Sequence, residues 1–242
     1  MIEAGRAELS SEFACIVGAG QQSTVGTIDE VSIAVQAGAD AVLVITPHFY
    51  RSAITQQTLL NYYTAVADAA KVPVLLYSMP ALTGIKIEPE TIARLCEHPN
   101  IIGVKDSSND IAGFSETVKM CNREFVVMTG NGTVLLDALK AGATGGILAV
   151  GCAVPEICVE LFRLFKLGEL ERVEALQSKL TPFAAAVTTR FGIGGLKAAM
   201  ELAGYHGGSV RAPLHAPDER QREEIALLLN AVQEKMANFE TA

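Results

Sequence analysis

The chain has 242 residues, of which 50% are hydrophobic and 19% are charged, and its net charge is −8. This length provides enough apolar surface for one large domain with a substantial core. The acidic balance and the lack of a long basic run exclude nucleic acid and anionic membrane surfaces as natural partners, and no apolar run reaches the length of a bilayer span. Five scattered cysteines without a CxxC pair indicate reduced, buried thiols in a cytoplasmic protein.

The first nine residues resemble the tail of a helix rather than the start of a domain. After them, short apolar runs alternate with amphipathic stretches up to residue 150. The apolar runs are rich in Val and Ile and show little alternation, which is typical of strands buried on both faces. The predicted strands are 13–18, 41–46, 72–77, 101–105, 125–129 and 145–150, and the predicted helices are 23–36, 55–70, 88–96, 111–121 and 134–141.

The remainder of the chain is predicted to be helical, over 155–167, 169–189, 193–202 and 218–237. The last of these has an apolar stripe that includes Leu229 and Met236, which favours packing on the domain or on a sister subunit over membrane insertion. The βαβα order predicts a parallel sheet or barrel. We therefore expect one domain, with a partial (β/α) barrel over 1–152 and the last barrel helix with a helical extension over 153–242.

The segment Val104-Lys105-Asp106-Ser107-Ser108 places a lysine at the end of a predicted buried strand. Burial of an ammonium is costly and lowers the pKa of a lysine toward the neutral, nucleophilic amine. A neutral amine attacks a ketone and forms a Schiff base. Lys105 is therefore a candidate nucleophile for an imine-forming enzyme.

Tyr77 ends the preceding predicted strand, about one βα unit before Lys105. In a parallel barrel, consecutive strand ends lie side by side on the face that carries the chemistry. A phenol next to an amine is a suitable pair for proton transfer. Tyr77 on its own fits a core aromatic equally well, so the prediction depends on its spacing from Lys105.

Three other patterns favour ordinary structural roles. The stretch from Gly18 to Gly20 suggests a dinucleotide-binding loop but lacks the third glycine and the acidic residue at the next strand end. The four histidines do not have the spacing of metal ligands, so we predict no metal and no cofactor. Asp106 fits a cap of the following turn as well as a contact with substrate.

Four motifs of the chain resemble the pyruvate-dependent class I aldolases, a family that includes dihydrodipicolinate synthase and N-acetylneuraminate lyase. They are LLYSMPALTG, HPNIIGVKDSSND, MTGNG and AGATGGILAV, in the family's order and spacing. The pair YSxP and GVKDS is specific for the group. The segment AAAVTTRFGIGGLKAAMELAGYHGGSVRAPL is most similar to the 4-hydroxy-2-oxoglutarate aldolase branch.

The resemblance implies a (β/α)8 TIM barrel with a C-terminal helical extension, assembled as a homotetramer, a dimer of dimers. It implies that Lys105 forms a Schiff base with pyruvate or another 2-oxo acid and that Tyr77 relays protons. Ser107 matches a serine of the oxoglutarate aldolase branch. The pyruvate pocket is expected to include Gly130 and Asn131 after one strand, and Gly146 and Ile147 at the end of another.

The chain departs from the family pattern in three places. The region that would carry the carboxylate-binding Gly-Thr-Thr-Gly-Glu-like or Gly-Ser-Asn-Gly-Glu-like motif would precede Met1, so about two βα units are expected to be absent. Phe49 occupies the position of a tyrosine that reaches the neighbouring subunit's relay, and the adjacent Tyr50 is the candidate substitute. Leu82 replaces an arginine of the synthase branch and forms no ion pair with a carboxylate.

These observations lead to two hypotheses of different class. The first is a lyase that cleaves or forms a 2-oxo acid such as 4-hydroxy-2-oxoglutarate through an imine on Lys105, releasing pyruvate and an aldehyde. The second is a non-catalytic chain, either a truncated fragment or a pseudoenzyme subunit. A dihydrodipicolinate synthase-like enzyme and a sugar-acid aldolase or dehydratase are alternatives that use the same imine.

Overall fold

The computed structural model describes residues 1–240, with side chains through Glu234. Six strands are present in this range: β1 (Ile16–Ala19), β2 (Ala41–Ile45), β3 (Val74–Ser78), β4 (Ile101–Asp106), β5 (Val126–Thr129) and β6 (Gly145–Gly146). The helices are α1 (Ile2–Glu8), α2 (Thr24–Gln36), α3 (Gln56–Ala69), α4 (Pro80–Thr83), α5 (Pro89–Leu95), α6 (Ile111–Met120), α7 (Leu135–Lys140), α8 (Pro155–Lys166), α9 (Leu170–Ala185), α10 (Gly192–Leu202) and α11 (Glu219–Glu240). Short 3₁₀ turns lie at Arg51–Ala53, Gly132–Val134 and Ala149–Cys152.

The chain divides into two compact units. The first unit contains Met1–Thr129 and Ala141–Thr144, and the second contains Gly130–Lys140 and the residues from Gly145 onward. No helix in the described part of the chain is long and apolar enough to cross a membrane. The sequence-based boundary at residue 152 stays a prediction.

A parallel sheet forms the centre of the first unit. Strands β1 to β5 pair in chain order, and every pair is parallel. Parallel neighbours require a crossover, and a helix lies between each strand and the next. Strand β2 is buried over four of its five residues, Ala41–Val44, which explains why its sequence is apolar without alternation. The α/β class predicted from the sequence is therefore confirmed for this unit.

Three side chains cap the helices that follow strands in the first unit. Ser23 accepts a hydrogen bond from the Gly26 N–H at the start of α2, and Thr55 does the same for Thr58 at the start of α3. Asp110 accepts from the Gly113 N–H at the start of α6. Such caps satisfy N–H groups that have no partner within the helix. The predicted helices 23–36, 55–70 and 111–121 agree with the observed ones to within one residue at each end.

Helix α1 confirms that the chain opens with a helix. Arg6 holds it against the sheet region, because its guanidinium donates to the Asp40 carboxylate at 2.7 Å and to the carbonyl oxygens of Leu9 and Ser10. The same Asp40 oxygen accepts from the Cys15 N–H at 2.7 Å. One carboxylate therefore joins the end of α1 to the segment that enters β1.

Helices dominate the second unit. Its buried core is formed by one face each of α8, α9 and α11, and the largest fully buried side chains there are Leu161, Leu164, Leu176, Leu180, Phe183 and Ile225. Helix α9 continues into a π-helical turn at Ala186–Arg190, where a single helix to residue 189 was predicted. Of the predicted stripe on α11, Ile225, Leu229 and Val232 are buried, whereas the side chain of Met236 lies outside the described residues.

The sixth strand differs most from the sequence-based expectation. A strand over 145–150 was predicted, but β6 ends at Gly146 and a 3₁₀ turn follows at Ala149–Cys152. The turn forms because Gly151 N–H donates to the Leu148 carbonyl at 3.1 Å and Ala153 N–H donates to the Val150 carbonyl at 3.0 Å. These backbone groups are satisfied locally instead of in a ladder. The apolar run ILAV therefore reflects burial of Val150 rather than a strand.

Candidate active site

Lys105 and Tyr77 lie side by side on neighbouring strands. Tyr77 of β3 is in register with Lys105 of β4, and the Lys105 Nζ lies 4.0 Å from the centroid of the Tyr77 ring. An ammonium over an aromatic face is attracted by the ring quadrupole, a contact on the order of 1 kcal/mol at a partly exposed site. The structure therefore brings together the two residues that the sequence singled out.

The register continues across the sheet and places both residues at the same edge. Ile45 pairs with Tyr77, and Lys105 pairs with Met128. Tyr77 and Met128 pack against a buried cluster of Ala41, Leu43 and Leu75. Lys105 is half-buried rather than fully buried, so its side chain keeps access to solvent. The expectation of a buried lysine was wrong in this respect, because the side chain that packs against the Tyr77 ring stays partly exposed.

A row of buried polar side chains occupies the positions next to these residues on the same strands. Successive side chains of a strand point to opposite faces, so this row lies on the face opposite to Lys105. Ser78 and Asp106 are in register, and Asp106 is in register with Thr129. All of them, together with Thr46 just beyond β2, are at most 7% exposed. The polar ends of four strands are therefore enclosed by the protein.

Asp106 is a cap and a buried carboxyl at once. Its Oδ1 accepts from the Ser108 N–H at 2.7 Å, which is the turn-capping role that the sequence left open. Burial raises the pKa of this carboxyl above its usual value. Of the two alternatives considered for Asp106, the structure shows the cap.

Ser107 carries a hydroxyl without a hydrogen-bonding partner. Its side chain is 8% exposed, and its Oγ has no hydrogen-bonding partner among the described residues. The Ser107 N–H donates to the Ser78 carbonyl at 2.9 Å, which continues the β3 to β4 pairing one residue beyond β4. Because Ser107 is two positions after Lys105, the two side chains are expected on the same face. An unsatisfied buried hydroxyl is costly, so this one is available to a ligand.

A glutamine that the sequence analysis missed holds the loop after β2. Gln22 Oε1 accepts from the N–H groups of His48 and Phe49, both at 2.8 Å. His48 Nδ1 lies 3.2 Å from the Thr46 carbonyl oxygen. Glutamine in a loop carries no sequence signal for this role, because its partners are backbone groups 26 and 27 residues away.

Tyr50 lies on this loop and is not brought to Lys105 by any contact within the described residues. The side chain is 70% exposed, and its ring packs edge-on against Phe49 at a centroid distance of 5.0 Å. Phe49 is equally exposed, at 73%. The assignment of Tyr50 as a relay residue therefore stays a prediction.

The remaining candidate residues belong to the second unit. Gly130 and Asn131 precede the 3₁₀ turn at Gly132–Val134, where Asn131 Oδ1 accepts from the Thr133 N–H at 3.0 Å and hydroxyl at 2.8 Å. Gln177 of α9 supports this turn by donating to the Gly132 carbonyl at 3.0 Å. No pattern in the sequence predicts that contact, which spans 45 residues.

Gly146 is exposed at the end of β6, and Ile147 is half-buried. The backbone leaves β6 at this point and enters the segment that leads to the 3₁₀ turn at Ala149–Cys152. The substrate-binding roles of Gly130, Asn131, Gly146 and Ile147 stay predictions.

The glycine-rich loop after β1 has a packing explanation. Gly20 has φ of +144°, and a Cβ there would lie 2.5 Å from Ile45 Cγ2. Its N–H donates to Glu30 Oε2 at 2.7 Å. The Gly20 N–H, which a phosphate would need as a donor, is already bonded to the Glu30 carboxylate. This bond argues against a dinucleotide site. Among the described residues, no three His, Cys, Asp or Glu side chains converge in a way that would hold a metal ion.

Comparison with known proteins identifies relatives over almost the whole chain. The model of the dihydrodipicolinate synthetase family matches residues 1–232. The 4-hydroxy-tetrahydrodipicolinate synthase of Syntrophus aciditrophicus (strain SB) is 32% identical over 210 residues, which cover 87% of this chain and 72% of that protein. The enzyme of the same name from Hyphomonas neptunium is 36% identical over 205 residues, which cover 84% and 69%.

Solved structures show the same fold. Dihydrodipicolinate synthase from Thermotoga maritima has a TM-score of 0.86 and 30% identity, covering 97% of this chain and 79% of that one. YagE from E. coli K12, a prophage protein of the dihydrodipicolinic acid synthase family whose structure is a complex with pyruvate, has a TM-score of 0.87 and 27% identity, covering 96% and 79%. The resemblance to this family is confirmed, whereas the branch and the absence of two βα units stay predictions.

Proposed function

The chain belongs to the dihydrodipicolinate synthetase family, and we propose that it is a class I lyase or synthase that forms an imine between Lys105 and pyruvate or a related 2-oxo acid. The observation that carries this proposal is the position of the Lys105 amine, 4.0 Å from the Tyr77 ring at the register-paired ends of β3 and β4. The complex of YagE with pyruvate supports the choice of substrate.

In the proposed reaction, the Lys105 amine attacks the ketone carbon and loss of water gives an iminium. The substrate hydroxyl gives up its proton and becomes the aldehyde carbonyl as the adjacent carbon–carbon bond breaks. The iminium accepts the electron pair of that bond, so the aldehyde leaves and an enamine of pyruvate remains. Tyr77 carries protons between the amine, the carbinolamine oxygen and the enamine carbon. Water then hydrolyses the imine and releases pyruvate, and condensation is the reverse of these steps.

Ser107 is proposed as a substrate contact. Its buried Oγ has no partner in the described part of the chain, and a hydroxyl can donate to a carboxylate and either donate to or accept from a carbinolamine hydroxyl. Replacement by alanine is expected to raise KM several-fold with a smaller effect on kcat, since a contact made equally in ground and transition states mainly affects binding. Steady-state kinetics of Ser107→Ala, with Ser108→Ala as the matched control, measures this difference.

Reductive trapping tests the imine directly. Incubation with pyruvate and borohydride is expected to add a reduced pyruvyl group to Lys105. Trypsin does not cut after the modified lysine, so a peptide covering residues 95–119 replaces those of 95–105 and 106–119. Lys86→Ala is the matched control, and it should be trapped normally. An unmodified Lys105 in folded protein, or a modification that persists in Lys105→Arg, would contradict the proposal.

Cleavage of 4-hydroxy-2-oxoglutarate is the proposed reaction within the family. Leu82 favours it, because its side chain is 74% exposed and has no charge to bind the second carboxylate that the synthase branch holds with arginine. The relatives described above carry the synthase name, so the two reactions must be compared directly. We expect pyruvate release from 4-hydroxy-2-oxoglutarate to exceed the synthase reaction, and the opposite ranking would assign the chain to the synthases.

A non-catalytic member of the same family is the second candidate function. Phe49 favours it, because it has no proton to transfer and Tyr50 beside it is exposed. Trapping and turnover separate the two candidates, since an inactive chain that keeps the lysine still forms the imine but cleaves no substrate. Sugar-acid aldolase and dehydratase activities remain alternatives for the same imine. The homotetrameric assembly and the cytoplasmic location stay predictions.

A further inference from the structure

Two thiols contact each other at the end of the sheet opposite to Lys105. Cys96 is the C-terminal cap of α5 and Cys121 is the C-terminal cap of α6. Both helices flank β4, since α5 precedes this strand and α6 follows it. Helices that cross back over a parallel sheet end at the side where the strands begin, so the two caps meet below the amino-terminal ends of β4 and β5.

The two thiols are hydrogen-bonding partners. The Cys96 Sγ also donates to the Ala93 carbonyl oxygen at 3.1 Å. Burial, together with the neighbouring Cys96, raises the pKa of the Cys121 thiol to about 12. Cys96 is the better placed nucleophile, because its side chain lines the cavity that gives access to the pair.

A cavity of about 250 Å³ gives access to the pair. Cys96 lines this cavity, as does Asn122 next to Cys121 in the chain. His98, Ile101 and Phe125 form further parts of the wall. Both thiols are half-buried and free in the structure, so a small reagent has a route to Cys96 without unfolding of the core.

We propose that Cys96 and Cys121 form a reversible intrachain disulfide in exchange with a low-molecular-weight disulfide. The Cys96 thiol loses its proton to solvent and its sulfur attacks the small disulfide, whose S–S bond breaks to release one small thiol. The Cys121 thiol then loses its proton, attacks Cys96 in the mixed disulfide and releases the second small thiol. The protein loses two hydrogens, and one small disulfide is reduced to two thiols.

The bond would close a loop that contains β4 and Lys105. Closing a loop restricts the unfolded chain, so the oxidised protein is expected to melt at a higher temperature than the reduced one. The proposal depends only on the geometry of the first unit. Its test does not depend on whether Lys105 forms an imine.

Peptide mapping under non-reducing conditions tests the proposal. The folded full-length protein is incubated with oxidised glutathione, remaining thiols are alkylated, and trypsin is added. A cross-linked product of peptides 95–105 and 120–123 is expected, lighter by two hydrogens than the sum of the free peptides. Dithiothreitol should restore both. The exposed Cys152 reports whether the reagent was active, since it should form a glutathione adduct.

Two single variants distinguish the roles of the thiols. Cys121→Ser is expected to stop at a glutathione adduct on Cys96, whereas Cys96→Ser should leave Cys121 unmodified, because Cys96 is the thiol that lines the cavity. Cys15→Ser is the control and should still give the cross-link. The proposal is overturned if both peptides remain separately alkylated while Cys152 reacts, or if Cys96 pairs with another cysteine. Circular dichroism of each variant confirms that it is folded.

Discussion

At the scale of single residues, the ring and the hydroxyl of Tyr77 have different roles next to Lys105, and a substitution can distinguish them. The ring lies 4.0 Å from Nζ, and the hydroxyl is the group that transfers protons in the proposed reaction. Tyr77→Phe keeps the ring and removes the hydroxyl. We expect it to form the imine more slowly but to be trapped by borohydride to the same final extent, and to turn over about 10²-fold more slowly. Equal turnover of Tyr77→Phe and the wild type would show that the Tyr77 hydroxyl does not relay protons.

Two carboxyl groups near the site have pKa values that are shifted in opposite directions, so we expect their contributions to stability to depend on pH in opposite ways. Burial raises the pKa of Asp106 in the folded state, so its contribution to stability is complete at low pH and is lost as the pH rises through the folded-state pKa. Hydrogen bonds from Gly113 and Lys86 lower the pKa of Asp110, so its contribution is present at neutral pH and is lost as the pH falls.

Thermal melts between about pH 4 and pH 7 test the direction of both effects on stability. Asp106→Asn keeps an acceptor for the Ser108 N–H and is expected to gain stability relative to the wild type as the pH rises from about 4 to 7. Asp110→Asn should lose relative stability over the same range. Parallel curves for wild type and Asp106→Asn would mean that Asp106 titrates normally.

At the scale of elements, the loop after β2 depends on a single side chain of the loop after β1. Gln22 accepts from two backbone N–H groups of that loop, each bond contributing about 1 kcal/mol. Gln22→Ala is expected to loosen the loop, lower kcat about tenfold if Tyr50 relays protons, and speed tryptic cleavage after the exposed Arg51. Imine trapping should be unchanged.

A conservative variant and a surface variant serve as controls for Gln22. Gln22→Glu keeps an oxygen that accepts both bonds and should restore resistance to trypsin. Gln57→Ala removes an amide that bonds only Asn61 on the surface of α3, at 2.8 Å among the contacts described, and should behave as the wild type. If Gln22→Ala is cleaved no faster than wild type, the loop is held by other contacts.

At the scale of the whole molecule, β1 is the edge of the sheet in the first unit, where it pairs with β2 alone. Ile16 on this edge is 41% exposed. Exposed apolar edge strands pair with other chains, and lysine on an edge prevents this. We expect Ile16→Lys to reduce association on a sizing column, whereas Val25→Lys, at an exposed site on α2, should not. A discrete oligomer in both would favour the working enzyme over an associating fragment.

The sequence predicted the parts of the fold that depend on local patterns. Buried parallel strands produce Val- and Ile-rich runs, and the helices between them are amphipathic, so five strands and most helices were located to within a few residues. The strand predicted at 145–150 begins where expected but was predicted too long, because an apolar run has the same composition whether it is paired in a ladder or folded into a turn.

The sequence by itself determined which residues are candidates for the proposed chemistry, since a lysine and a tyrosine at successive strand ends predict an imine-forming pair. Only the tertiary structure decided the distance between them, the partial exposure of the amine, and the unpartnered hydroxyl of Ser107. It also decided the partners of Gln22 and the contact between Cys96 and Cys121. These contacts join residues 25 or more positions apart, and such pairs leave no periodic signal in the chain, because they follow from strand register and helix packing.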